Sequence, residues 1–247
     1  MIPSESLRTW LIWSIVVIAG GLILAITGVL VRESWRRGRQ WHLARLRRRY
    51  HALLDGLDHM SEDALPELAE QLKTTFGMKH LEWLLNESVE LADVSLQAKF
   101  QKLYEHLGLL DQYLHDLRHS PRWSVRAGAA RRLGEIGSAR AVPTLLEAMR
   151  DPHEDEDVKL AGARALGMIR DPRAIPPLIE ALREPDKWVS PRVAEALIAF
   201  GPLAEAPLID ALRDPDSDDL RAWAADILGQ LRSRAAVPNL IQCLWDR

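Results

Sequence analysis

The sequence predicts an all-α fold, an α-solenoid of stacked helix pairs preceded by one transmembrane helix. Three observations predict it. The second half of the 247-residue chain says one phrase four times, as SVRAGAARRLGEIGSARAVPTLLEAMRDP, DVKLAGARALGMIRDPRAIPPLIEALREP, VSPRVAEALIAFGPLAEAPLIDALRDP and DLRAWAADILGQLRSRAAVPNLIQCLW. Its closing leucine-like position falls at Met149, Leu182, Leu212 and Leu244, a period of 33, 30 and 32 residues. A period in that range marks stacked units, none of which can bury its apolar face alone. Near the front, Leu11 to Val31 carries no charge.

In chain order, residues 1–10 are expected to be a short extracytoplasmic N-terminus and 11–31 the transmembrane helix. At about 1.5 Å per residue that run spans about 30 Å, the hydrocarbon thickness of a bilayer. Trp10 and Trp13 flank one end and Trp35 the other, where amphipathic rings settle at headgroup level. A cleaved signal peptide would have a shorter apolar core and a basic leader. Here the leader carries only Arg8, and the arginines follow the apolar run: Arg32, Arg36, Arg37, Arg39, Arg45, Arg47, Arg48 and Arg49. Such a flank stays in the cytoplasm. The expected location is therefore a bacterial inner (cytoplasmic) membrane, single-pass, with the N-terminus outside and the repeats inside. The lone Cys243, which can form no internal disulfide, agrees. Gly21 and Ala25, four apart, would permit close helix–helix contact, although transmembrane helices also tolerate small residues generally.

Residues 32–60 read as a basic juxtamembrane helix. Leu43, Leu46, Tyr50, Leu53 and Leu57 form an apolar seam opposite the arginines. The seam can dock as the opening helix of the solenoid, or lie on the membrane with arginines against anionic lipid. Docking is expected for its C-terminal part and lipid contact for the collar of Arg32, Arg36, Arg37 and Arg39. Residues 61–120 keep helical spacing while the phrase fades, giving degenerate repeats. Ala64-Leu65-Pro66-Glu67-Leu68 opens like a second helix, and Asp93 to His106 with Leu109 to Arg118 looks like a helix pair. Residues 121–247 hold the four full units.

Each full unit divides into two helices. In the first unit, Val125, Ala129, Leu133 and Ile136 form a stripe from about Ser124 to Ile136. Ala127, Gly128, Ala130 and Gly134 leave room for neighbouring backbones. A turn at Gly137 to Arg140 leads to a second helix, Val142 to Arg150, with Pro143 near its start, where a missing N–H costs nothing. Pro176, Pro177, Pro207 and Pro238 read as equivalents. Asp151-Pro152, Glu184-Pro185 and Asp214-Pro215 close the units, proline stopping one helix and nearby acids available to cap the next. The acidic runs at 153–157 and 216–219 read as exposed loops.

The AGARALGMI and PPLIEALREP phrases, the Val125-Arg126 helix opening, and Trp123 or Trp188 upstream of it carry a resemblance. They resemble HEAT-like repeats, in the short, alanine-rich bacterial form seen in phycobilisome-lyase-type proteins. The resemblance covers about residues 121–247 and implies a right-handed helical solenoid used for binding. Unit three departs at Phe200-Gly201, where the turn shortens.

Two polar columns recur. Arg126, Lys159, Arg192 and Arg221 read as one column in the first helices. Glu147, Glu180 and Asp210 recur in the second helices, each followed three residues later by Arg150, Arg183 or Arg213. Acid and arginine three apart on a helix also form local ion pairs worth about 0.2–0.5 kcal/mol. Second helices usually line the inner curve of such solenoids, so the candidate partner-binding face is Glu147, Arg150, Glu180, Arg183, Asp210, Arg213 and Gln242.

Charge divides along the chain. Residues 1–50 hold nine basic and two acidic residues, and the remainder holds 23 against 33. An acidic body is a poor polyanion binder, so no nucleic-acid partner is expected. No catalytic residues, metal or cofactor are expected either. His153-Glu154 is the one His-Glu pair in the order a HEAT-like di-iron hydroxylase uses, and it falls between helices. His115 and His119 are four apart, but His119 adjoins the helix-ending Ser120-Pro121. No Gly-rich phosphate loop or Gly-x-Ser-x-Gly nucleophile motif occurs. The expected function is a membrane-anchored, non-enzymatic scaffold or adaptor. It would bind a protein partner, another membrane protein included. The alternative is a lyase-type enzyme subunit acting on a tetrapyrrole or other small molecule.

Overall fold

A computed structural model describes residues 56–89, 94–183 and 188–243, together with Arg32, Arg48, Tyr50, Ala52 and Leu54 singly. The expected transmembrane run at 11–31, and Arg36, Arg37 and Arg39 of the collar, lie outside the described residues. Arg32 is helical and exposed. Residues 1–55 and 56–247 form two compact units. Among the described residues, no helix is long and apolar enough to cross a membrane.

The second unit contains α-helices in antiparallel-pair order and no described strand. Gly56 is a turn residue and Leu57–His59 a single 3-10 turn, so residues 56–60, expected to end the juxtamembrane helix, are not part of an α-helix. Then come α1 (Leu65–Phe76), α2 (Met78–Val89), α3 (Val94–His106) and α4 (Leu109–His119), the degenerate pairs. The full units follow: α5 (Trp123–Ile136) with α6 (Val142–Arg150), α7 (Glu156–Ile169) with α8 (Ile175–Glu180), α9 (Val189–Phe200) with α10 (Pro202–Ala211), and α11 (Asp218–Gln230) with α12 (Val237–Cys243). Two leucine columns run through them. Leu133, Leu166, Leu197 and Leu228 of the first helices and Leu145, Leu178 and Leu208 of the second are fully buried. Each such side chain stabilises the stack by about 1.5–3 kcal/mol, which no single unit could gain alone.

The first helices form the closer layer. A Cβ added at Gly134 would stand 2.7 Å from the Cα of Ala165, and one at Gly167 would stand 2.9 Å from the Cα of Ala196. Glycine facing alanine therefore brings α5, α7 and α9 into backbone contact. Gly128, by contrast, faces open space. Four residues beyond each column leucine the chain turns to positive φ, at Gly137 (73°), Arg170 (55°), Gly201 (60°) and Arg232 (54°). Glycine takes that conformation freely and arginine does not.

Details of the turns correct three expectations. Pro207 does not sit at a helix opening. After Gly201 the chain enters α10 at once, with Pro202 in its first turn and Pro207 in its interior. There its missing N–H leaves the carbonyl of Leu203 without a helical partner. The acidic runs are not plain loops: Glu156, Asp157, Asp218 and Asp219 form first helical turns, where their charge suits the helix dipole. The caps are Asp155, which accepts from the N–H of Asp157, and Ser217, which accepts from that of Leu220. Asp151 and Asp214 instead fold over the following proline, accepting from the N–H groups of His153 and Asp216 at 2.9 Å each.

Candidate functional site

The second-helix column is present, and three of its seven residues, Glu147, Arg183 and Arg213, tie neighbouring units together. Glu147 does not pair with Arg150. Its carboxylate meets the Nε of Arg118, on α4, at 3.4 Å. Arg183, just past the end of α8, bonds Glu180 at 2.8 Å and also Asp214, which follows α10. Those two carboxylates hold its pKa up, and Arg183 in return holds the Asp214 carboxyl below its usual range. Arg213 is 4.0 Å from Asp210 and donates at 2.7 Å to the side-chain oxygen of Asn239 on α12. Arg150, Glu180, Asp210 and Gln242 are exposed.

The first-helix column splits in the same way. Arg126 makes a bidentate pair with Glu154, at 2.6 and 2.9 Å, and donates at 2.8 Å to the carbonyl of Ser120. The two side chains are only 19% and 9% exposed, so Glu154 is a structural tie and not a loop residue on display. Arg221 reaches back likewise to the carbonyl of Asp214 at 2.7 Å. Arg192 does not belong to this column. Counting back seven residues from the column leucine gives Arg126, Lys159, Ser190 and Arg221, and Ser190 is buried. Arg192 lies two residues further on, exposed, and pairs with Glu195 at 2.5 Å.

That displacement matters because it puts Arg192 on a surface the sequence reading did not single out. Two grooves open on the first-helix layer. One, of about 710 Å³, crosses α3, α5, α7 and α9 and is lined by Gln101, Arg164, Met168, Arg170, Arg192 and Glu195 among others. The second, of about 470 Å³, shares Arg164, Met168 and Arg192 and is bounded by Trp123 and Arg131. Gln101 of α3 donates to the carbonyl of Gly137 at 2.7 Å, fastening the degenerate pair to the first full unit beside the groove. Trp123 and Met168 are 49% and 43% exposed. Two of the acids here are engaged, Glu135 by Arg132 at 2.6 Å and Glu195 by Arg192, and a third, Asp157, is exposed on the rim of the second groove. The side chains of Arg164 and Arg170 make no ion pair or hydrogen bond with any described residue, although the backbone N–H of Arg170 donates to the carbonyl of Leu166 at 3.0 Å.

A stack of helix pairs joined by repeating turns is the architecture of helical-repeat proteins. Residues 110–199 and 182–247, more than half the chain, match the model of HEAT repeats. The chain belongs to the HEAT-repeat family. The match starts inside α4, upstream of the boundary expected at 121, and α4 packs on α5. No curated protein matches the chain. HEAT repeats serve in general as protein-interaction scaffolds. The rings of His115 and His119 lie with centroids 4.7 Å apart, tilted by 50°, and among the described residues no cluster of three or more His, Cys, Asp or Glu could hold a metal ion.

Proposed function

We propose that this HEAT-repeat protein is a membrane-tethered, non-enzymatic scaffold that holds a protein partner at the cytoplasmic face of a bacterial inner membrane. The observation that carries the reading is a pairing within one chain. A charge-free run at 11–31, followed by eight arginines between 32 and 49, precedes an acidic stack of HEAT repeats. The run supplies the tether and the arginines its orientation, with Arg32, Arg36, Arg37 and Arg39 against anionic headgroups at about 1 kcal/mol each. The stack supplies the surface. Tethering raises the effective concentration of a membrane-bound partner without any new contact. The exposed second-helix residues Arg150, Glu180, Asp210 and Gln242 are one face available to that partner, and the first-helix grooves are another.

Affinity capture from detergent-solubilised membranes tests the reading. The full chain should recover one partner reproducibly, and a chain with residues 1–31 removed should recover less of it from intact membranes. Recovery of none in repeated captures would overturn the scaffold reading.

A further inference from the structure

We infer that the first-helix grooves bind an extended acidic peptide segment bearing one large apolar side chain. Its carboxylates would meet Arg164 and Arg170, and the apolar side chain would lie between Trp123 and Met168. This deepens the scaffold reading and rests on it, since it names the chemistry of the partner that the scaffold would hold.

Charge complementarity selects the occupant. Past residue 50 the chain carries 23 basic against 33 acidic residues, so an unneutralised cation is out of keeping with its surroundings. Arg164 and Arg170 are exposed on one groove, and neither meets a carboxylate among the described residues. Guanidinium forks match carboxylates bidentately, and such charge-assisted bonds are about twice as strong as neutral ones. Arg170 also occupies a left-handed backbone position, φ 55°, that the preceding unit fills with Gly137. Glycine would remove that strain, and would remove the cation with it.

Shape selects an extended chain. The larger groove crosses successive first helices, which in ordinary packing are about 8–10 Å apart. At about 3.3 Å per residue, roughly six extended residues cross two such intervals. Exposed Trp123 and Met168 give an apolar anchor somewhere to go, and the thioether of Met168 adapts to several shapes.

The test uses the full chain in detergent and an array of hexapeptides. Each peptide carries two Glu and one Leu, Phe or Met, and each is paired with an isostere bearing Gln for Glu. A single-stranded oligonucleotide serves as the competing polyanion. Acidic members should bind about tenfold more tightly than their isosteres, and Arg164→Glu should cost about tenfold, the worth of one charge-assisted pair. Arg170→Gly should weaken the same peptides severalfold while raising the unfolding midpoint, so misfolding cannot account for the loss. Equal binding of isosteres, indifference to Arg164→Glu, or tighter binding of the oligonucleotide would overturn the inference. The membrane partner separates the two readings. Equal capture by wild type and Arg164→Glu sinks the groove and leaves the scaffold, whereas no capture by wild type sinks the scaffold.

Discussion

Gly134→Ala and Gly128→Ala add the same methyl group to the same helix, and the packing of the first helices gives them opposite signs. In a helix interior alanine is favoured over glycine by about 0.8–1 kcal/mol. At Gly128 nothing lies within 4 Å of the new Cβ, so that gain is kept. At Gly134 the Cβ would be 2.7 Å from the Cα of Ala165 and 2.8 Å from its Cβ. A backbone atom cannot rotate aside, so α5 and α7 must separate, at a cost of about 1–3 kcal/mol for overpacking. The net effect at Gly134 is a loss of about 0–2 kcal/mol, and the two variants differ by about 1–3 kcal/mol. With a urea slope of about 2 kcal/mol per molar, their midpoints should stand roughly 0.5–1.5 M apart, Gly128→Ala the higher. Urea unfolding of the full chain, followed by far-UV circular dichroism, reads this directly. If Gly134→Ala stabilises as much as Gly128→Ala, the first helices are not in backbone contact and the packing argument fails.

Breaking the half-buried tie should matter more than breaking an exposed one. Glu154→Gln, which strips the charge from the bidentate partner of Arg126, should lower unfolding free energy by about 1–3 kcal/mol, and Glu180→Gln by less than about 0.5 kcal/mol, in the same urea experiment. Acid should loosen the stack. Arg183 depresses the pKa of Asp214, and Arg173 that of Asp171, so each carboxylate contributes stability above its ordinary unfolded pKa and loses it as pH falls through the lower folded value. Stability of the wild type should therefore fall below about pH 4, and Asp214→Asn should flatten part of that slope. An unchanged slope would show that the Arg183 pair has no energetic weight.

Periodicity made the fold readable. The stripe at Val125, Ala129, Leu133 and Ile136 placed α5 to within one residue of its start, and the second helix Val142–Arg150 was found entire. Close approach was expected at Ala127, Gly128, Ala130 and Gly134 alike, and Gly134 shows it while Gly128 faces open space. The misplaced residues share one cause. Unit three has lost residues from both its first helix and its turn, so spacing from the helix start no longer tracks the core. Registering Arg192 on the helix opening put it in the wrong column, and registering Pro207 on the other prolines put it at a helix start it does not occupy. Counting from the buried leucines would have corrected Arg192. The pairing of Glu147 with Arg118, and the freedom of Arg164, had no sequence signal. Both depend on which residues of successive units meet, and charge identity alone does not encode that. The grooves carry no sequence signal for the same reason, being made by four helices in one case and three in the other, each from a different unit.

The native Cys243 offers the most direct test of the account, which holds that the repeats stand inside the cell on a membrane stem. Its thiol is half-buried, with Sγ 3.5 Å from the carbonyl oxygen of Leu212, so permeabilised cells set the reactivity to be expected. A membrane-impermeant maleimide should modify it in permeabilised cells, with the protein retained in the membrane fraction, and should leave it untouched in intact ones. Labelling in intact cells, or recovery of the protein in the soluble fraction, would contradict the account.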